Sequence, residues 1–402
     1  MRIALNFRRI DPARGGAETY LVDLCQRLAR AGHRVDVFAE EWAEGALPAE
    51  VGTIRVTSQG WTRLQRLWSF AVNSERALRE RDADYDCSVG LINTWHHDVI
   101  IPQGGVHEAT LEANSKRFPA GWRRSAYVLG KRANPKAGVY RAIEARQYDP
   151  RRGARVVAVS KMVRNDLERF HGVPRDRIHV IPNAIDAGRL AVSDPAAVRR
   201  DFRRQNGLKP DDLVALFVGH NYWLKGLGPL LLAMRERLRR DPEARPIHLL
   251  ACGGGKPGPF RSMVEGLGLG GVVHLLGFQP DIRPCFHAAD FFALPTYYDP
   301  CSLVVFEALA CGLPVITTAC NGAGELIAEG REGFVVPAPD ARAPLADALD
   351  RMAVDDARKL MATHAVRLGR EQSFDRHVAR LIEVFERVAA SKRQPDRSRG
   401  AA

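Results

Sequence analysis

The sequence has no run approaching the ~18 uninterrupted apolar residues of a membrane-spanning helix. Its opening residues, Met1 to Phe7, pass straight into a strand-like pattern without the apolar core and cleavage site of a signal peptide. Seven cysteines are scattered at Cys25, Cys87, Cys252, Cys285, Cys301, Cys311 and Cys320, with no Cys-x2-Cys pair and an odd count. A disulfide framework and a zinc site are therefore both unexpected, and the reading is a reducing, cytoplasmic protein with free thiols. No short-period repeat is visible. No Gly-x-Gly-x-x-Gly run follows the first strand, which argues against an NAD(P) oxidoreductase.

What is present points to a globular chain of two domains. The 402 residues exceed one ordinary core, and 46% hydrophobic with 26% charged residues suits a packed protein rather than a disordered one. The formal charge of +12 favours anionic partners: nucleic acid, phospholipid headgroups or phosphorylated glycans.

Arg2–Phe7 reads as a strand, Arg8–Gly16 as a loop, and Ala17–Ala31 as a helix with Leu21, Leu24 and Leu28 at helical spacing, stopped by Gly32. Arg34–Phe38 is a second strand, and Ser88–Ile92, Val156–Val159 and Ile178–Pro182 follow. A second unit of the same kind starts with strand Leu213–Gly219 and a helix opened by Lys225-Gly226 and running through Leu238. Its further strands are Ile247–Ala251, Val272–Leu275, Phe291–Leu294 and Pro314–Thr317, with a helix at Leu303–Ala310. Strands alternating with helices in both halves predict two Rossmann-like α/β domains, 1–184 and 185–369, with a cleft between them. Residues 370–390 read as one amphipathic helix packing back on the first domain, and 391–402 as a disordered polar tail.

Three segments carry chemistry. Gly15 and Gly16 stand before a helix, where backbone N–H groups and the helix dipole suit a diphosphate. Lys225 stands at the mouth of the helix after strand Leu213–Gly219 and supplies a mobile cation for phosphate oxygens. In Tyr298–Val315, Asp299 and Glu307 lie at the entry of an apolar helix and two turns into it. A carboxylate among Val305, Phe306, Ala308 and Leu309 needs a buried partner or a ligand, and a ribose diol is one that fits. The helix start around Ser302, Leu303 and Val304 again offers free N–H groups. The bland reading of this segment is an N-cap at Asp299 and a buried ion pair at Glu307.

The segment Asp299 to Val315 resembles the Glu-x7-Glu signature of retaining GT-B glycosyltransferases of carbohydrate-active family 4. Val159-Ser160, Ile181–Asp186, Gly219–Gly226, Cys252–Gly255 and Gly277-Phe278 through Asp290 follow the same family pattern in order, over nearly the whole chain. Within it, Asp98–Glu108 and Tyr298–Val305 look most like the lipopolysaccharide core glucosyltransferases. The resemblance implies a GT-B fold of two Rossmann-like domains facing a cleft, and a retaining hexosyltransferase. Its donor would be a nucleotide-sugar such as UDP-glucose, without metal or other cofactor, and its acceptor a membrane-associated glycolipid of lipopolysaccharide-core type. It places Glu307 on the ribose, Asp299 on the transferred sugar, Lys225 with Gly15, Gly16, Ser302, Leu303 and Val304 at the diphosphate, and Phe278 near the base. His107, after Gly104-Gly105, is a candidate cleft histidine facing the sugar.

Two positions depart from the family pattern. The first acid is Asp299 rather than the usual Glu, and the loop His220–Leu224 lacks the Arg that usually precedes the Lys, a role Arg14 is a candidate to fill. Two alternatives stay open: a catalytically weak nucleotide-sugar-binding protein, to which the Asp299 departure points, and a nucleotide-sugar 2-epimerase of the same two-domain shape. His96, His97 and Asp98 are spaced too tightly to face one metal ion. Between 115 and 155, Lys and Arg crowd a stretch whose only acids are Glu144 and Asp149, with Trp122, Tyr127, Tyr140 and Tyr148 interleaved. On composition that mixture suits an anionic membrane surface and nucleic acid equally; the resemblance, whose acceptors are usually lipid-linked, implies an anionic membrane or glycan instead, and a place at the inner face of the cell membrane.

Overall fold

A computed structural model of the chain describes residues 1–12, 15–255 and 257–393. The chain divides into two compact units, Met1–Pro182 with the chain from Phe374 onward, and Asn183–Ser373.

The first unit is built on seven strands: β1 (Arg2–Asn6), β2 (Arg34–Ala39), β3 (Gly52–Arg55), β4 (Cys87–Gly90), β5 (Val99–Ile100), β6 (Arg155–Ala158) and β7 (Ile178–Val180). They form one parallel sheet in the order β3-β2-β1-β4-β5-β6-β7. Ile3, Ala4, Leu5, Val37, Val89 and Val157 are wholly buried, as expected where helices cover both faces of a parallel sheet. The helix Gly16–Arg30 packs Leu21, Leu24 and Leu28 inward and ends where Gly32 takes φ +82°.

The second unit carries β8 (Leu213–Val218), β9 (Ile247–Cys252), β10 (Val273–Gly277), β11 (Phe291–Leu294), β12 (Val315–Thr318) and β13 (Gly333–Val336). This parallel sheet runs β10-β9-β8-β11-β12-β13. The order reverses between β8 and β11, which creates the crevice at the strands' carboxyl ends where open α/β sheets bind ligands. Arg203, 2% exposed, braces the opposite ends of these strands. Its guanidinium donates to the carbonyls of Ala288, Pro210 and Asp212 and to Asp290 Oδ2, so the buried charge is fully engaged.

The helix expected over 370–390 is present but begins at Phe374 and runs to Arg393, and residues 370–371 end the helix before it. Asp355–Glu371 and Phe374–Arg393 are separated at Gln372-Ser373, and Ser373 pairs with Ile185 as a bridge. The second helix buries Phe374, Val378, Leu381 and Phe385, and Tyr20 from the Gly16–Arg30 helix meets His377 Nε2 at 2.7 Å. Residues 391–393, expected in a disordered tail, are its last turn, and the rest of that tail lies outside the described residues. All seven cysteines are free. Among the described residues no helix is long and apolar enough to cross a membrane.

Candidate active site

The site is assembled from loops that leave the carboxyl ends of β8 to β12. After β8 the chain makes a four-residue helical turn, Tyr222–Lys225, capped at its start by the Asn221 side chain, which accepts from Leu224 N–H at 3.2 Å. The Tyr222 ring is pinned edge-on between Phe217 and Phe260, and its hydroxyl donates to Gly253 O at 3.1 Å. Gly226 ends the turn at φ +84°, and a Cβ there would stand 1.8 Å from Pro295 O. The loop after β11 grips the same turn: Tyr297 N–H donates to Leu224 O at 2.8 Å, and the Thr296 hydroxyl lies 3.0 Å from that oxygen. Lys225 is thus fixed at its backbone while its side chain runs over Gly219, where a Cβ would come within 2.8 Å of Lys225 Cγ.

Asp299 is held as firmly. Its N–H donates to Cys320 O at 3.0 Å and its carbonyl accepts from Gly322 N–H at 2.9 Å. Lys225 Nζ donates to Asp299 Oδ2 at 2.5 Å, which joins the β8 and β11 loops across the switch point. Asp299 is nearly buried, so this is a partly desolvated pair in which each charge depends on the other.

The helix Leu303–Ala310 begins beside this pair in the chain. Ser302 occupies its N-cap position without a side-chain capping bond, and the N–H groups of Leu303 and Val304 belong to the first turn, which has no intrahelical partner. Asn321 shapes the entry: its Oδ1 accepts from Ser302 and Ala323 N–H, and Asn183 Nδ2 donates to Cys301 O at 3.0 Å. Two turns on, Glu307 sits in the apolar helix. Burial raises its carboxyl to about 7, with Arg189 pulling the other way. Phe278, after β10, is 60% exposed, and Gly277 before it takes φ +68°.

Lys225, Phe278, Asp299, Ser302, Leu303, Val304 and Glu307 all belong to one unit, and among them Lys225 and Asp299 meet directly. Gly15, Gly16 and His107 belong to the other unit. Gly15 precedes the Gly16–Arg30 helix, and its carbonyl accepts from Thr19 N–H at 3.2 Å; Arg14 lies outside the described residues. His107 opens the helix His107–Ser115, where its N–H donates to the Glu144 carboxylate and its ring stacks on Tyr140 with centroids 5.8 Å apart. It lines a cavity of about 250 Å³ with Asn114, Tyr127, Lys131, Lys136 and Tyr140. His96, His97 and Asp98 turn to different partners: Asp82, Thr94, and Ser88 with Lys392 respectively. Asn321, Thr296 and Arg189 were not singled out by sequence. Their roles come from backbone geometry and packing, which leave no spacing pattern to find.

The basic stretch forms the helices Trp122–Ala133 and Pro135–Gln147. Its charge is partly met from outside the stretch. Glu108 accepts from Arg132 and lies near Arg141, and Glu75 accepts from Arg146 and Arg152. Trp122 is 75% and Leu129 70% exposed, and Arg123 lies over the Trp122 ring.

Residues 212–355 match the family described as glycosyl transferases group 1, and residues 14–189 match glycosyltransferase family 4. A probable transglycosylase of Burkholderia thailandensis is 30% identical over 95% of this chain and 96% of its own. D-inositol 3-phosphate glycosyltransferase 2 of Catenulispora acidiphila is 28% identical, over 88% of this chain and 87% of its own. The lipopolysaccharide glucosyltransferase WaaG of Escherichia coli is 26% identical over 83% of this chain and 85% of its own. Among solved structures, WaaG superposes with a TM-score of 0.76 at 22% identity over 95% of this chain and 99% of that one. Anabaena HepE in complex with UDP-glucose gives 0.64 at 18% identity over 98% and 99%. These are GT-B folds. With both units matching glycosyltransferase families and a relative 30% identical over nearly the full length of both chains, the chain belongs to glycosyltransferase family 4.

Proposed function

We propose that this glycosyltransferase is a retaining, metal-independent hexosyltransferase. It moves glucose from UDP-glucose to a membrane-associated glycolipid of lipopolysaccharide-core type. The observation that carries the reading is the Lys225–Asp299 pair, 2.5 Å apart at the carboxyl ends of β8 and β11. A diphosphate arriving there competes with Asp299 for the Lys225 ammonium. A sugar hydroxyl can then donate to the Asp299 oxygen so released, and each charge keeps a partner. The first-turn N–H groups of Leu303 and Val304 add donors for phosphate oxygens. Charge building on the leaving diphosphate is met by fixed protein dipoles and one cation, which is an electrostatic route to lowering the barrier. Glu307 accepts from the ribose diol, and Phe278 lies against the base.

The His107 cavity offers Tyr127 and Tyr140 rings for a sugar face and Lys131 and Lys136 for acidic substituents of an acceptor. Trp122, Leu129 and the surrounding cations dock the enzyme on the inner face of an anionic membrane. One observation favours a second acceptor reading. Relatives of nearly full length are named for transfer to D-inositol 3-phosphate, a small soluble acceptor. Product analysis with UDP-[¹⁴C]glucose and either truncated lipopolysaccharide or inositol 3-phosphate separates the two. Label in the lipid, in EDTA and with the α-anomeric linkage of the donor, supports the proposal. Label in the inositol phosphate, or a requirement for metal, overturns the corresponding part.

A further inference from the structure

The amino-terminal edge of the seven-stranded sheet carries a cavity of about 490 Å³ that none of the roles above uses. Its wall is made by the starts of three neighbouring parallel strands, Asp98 just before β5, Arg155 at the head of β6 and His179 in β7. Arg387 and Lys392, from the last turns of the Phe374–Arg393 helix, close it, with His97 and Arg152. Ligands of open α/β sheets gather at the carboxyl ends of strands, so this cavity lies at the opposite edge of its own sheet.

The cations here are not equally satisfied. Lys392 Nζ lies 2.8 Å from Asp98 Oδ2 and 3.1 Å from Asp82 Oδ1, and Arg152 donates to Glu75 at 2.9 Å. Arg155 donates only to a carbonyl, Asp176 O at 3.0 Å, among the described residues. The carboxylate nearest Arg387 is Glu383, one helical turn away at 3.9 Å and exposed. His97 Nδ1 is buried without a hydrogen-bond partner, while its Nε2 lies 2.8 Å from Thr94 Oγ1. A buried ring nitrogen left unbonded costs free energy that a ligand can recover. Two guanidinium groups without a hydrogen-bonded carboxylate call for a dianion with several acceptor oxygens, which Arg binds in bidentate fashion. The volume is in the range of about 300–1,000 Å³ that holds small metabolites and exceeds what a bare phosphate fills.

We propose that this cavity is a binding site for a small phosphate monoester, held by Arg155 and Arg387 with His97 as a further donor. Such a ligand bridges the strand starts and the terminal helix, so its binding raises the stability of the unit. The inference stands independently of the donor and acceptor assignments.

Calorimetric titration of the full chain with inorganic phosphate, glucose 6-phosphate and glucose tests it. Phosphate and glucose 6-phosphate are expected to bind and glucose to give no heat. Arg155→Ala and Arg387→Ala are each expected to weaken binding by at least about tenfold, and Lys225→Ala to leave it unchanged. Arg387 lies on the exposed side of its helix, so its variant reports even where Arg155→Ala fails to fold. Absence of binding at millimolar phosphate, affinity that survives both Arg changes, or affinity lost instead in Lys225→Ala overturns the site. A parallel arm uses vesicles of phosphatidylcholine with phosphatidic acid. Arg155- and Arg387-dependent binding to these alone, with none to glucose 6-phosphate, assigns the phosphate to a lipid headgroup and overturns the metabolite.

Discussion

Lys225 and Asp299 are separated in the chain by three β-strands and the helices between them, yet their charged atoms meet at 2.5 Å across the point where the sheet order reverses. Neither is well hydrated, and each holds the other in place. Lys225→Ala is expected to lower turnover by about 10²–10³ and to cost about 1–3 kcal/mol of stability by orphaning Asp299. Initial rates of UDP release and a thermal melt check both. Near wild-type turnover would remove Lys225 from the mechanism.

Gly219 tests the positioning of that lysine without removing it. Its backbone is not in the left-handed region, so a Cβ strains nothing locally, but it would sit 2.8 Å from Lys225 Cγ. Gly219→Ala is expected to displace the ammonium and reduce kcat by ~10-fold or more while the circular dichroism spectrum is retained. An unchanged kcat means the ammonium's location is not critical.

Glu307 gives a pH-dependent prediction whose sign is set by burial. Its carboxyl is raised to about 7 in the folded chain from an ordinary value of 4.5. Between those values the folded state holds a proton the unfolded state has lost, so stability falls as pH rises through this window. Glu307→Gln is expected to match the wild type below pH 4.5 and to exceed its stability above pH 7, by up to roughly 3 kcal/mol. The same change weakens UDP binding, because an amide accepts a diol less well than a carboxylate does. Denaturant melts at pH 4, 6 and 8 decide the first point. A variant less stable than wild type at pH 8 would show that Glu307 is structural.

Much of this was legible in the sequence, and the misses have physical reasons. Phe291–Leu294 and Leu303–Ala310 were read with the bounds they have, because each is a buried apolar run cut off by Pro, Ser or Cys-Gly. Gly52–Arg55 and Gly333–Val336, at the sheet edges, and the two-residue Val99–Ile100 were missed, since short edge strands carry little pattern. The break at Gln372-Ser373 was not read because neither Gly nor Pro stands at it, and the nearby Gly369 is a buried residue inside the preceding helix. Asp299 and Glu307 stood out as carboxylates in an apolar setting. The Lys225–Asp299 contact was not readable, since it depends on which loops the strand order brings together. Arg189, which bears on Glu307, is one Arg among many until the fold selects it.

The basic helices give a separate test. Trp122 and Arg123 protrude without burying against the core. Trp122→Ala with Arg123→Ala is expected to weaken binding to phosphatidylglycerol vesicles, by about 1 kcal/mol for the lost cation alone, with no change in melting temperature. Vesicle flotation reads this. Binding equal to wild type would place membrane attachment elsewhere or deny it.

The most direct measurement of the donor-site assignment is the thermal shift of the chain with UDP, GDP, ADP, UDP-glucose and NAD, each with and without EDTA, in wild type and Glu307→Ala. The expected result is a rise with UDP and UDP-glucose that EDTA leaves intact and Glu307→Ala abolishes. No shift with any nucleotide, a shift with NAD alone, or a UDP shift that survives Glu307→Ala would contradict it.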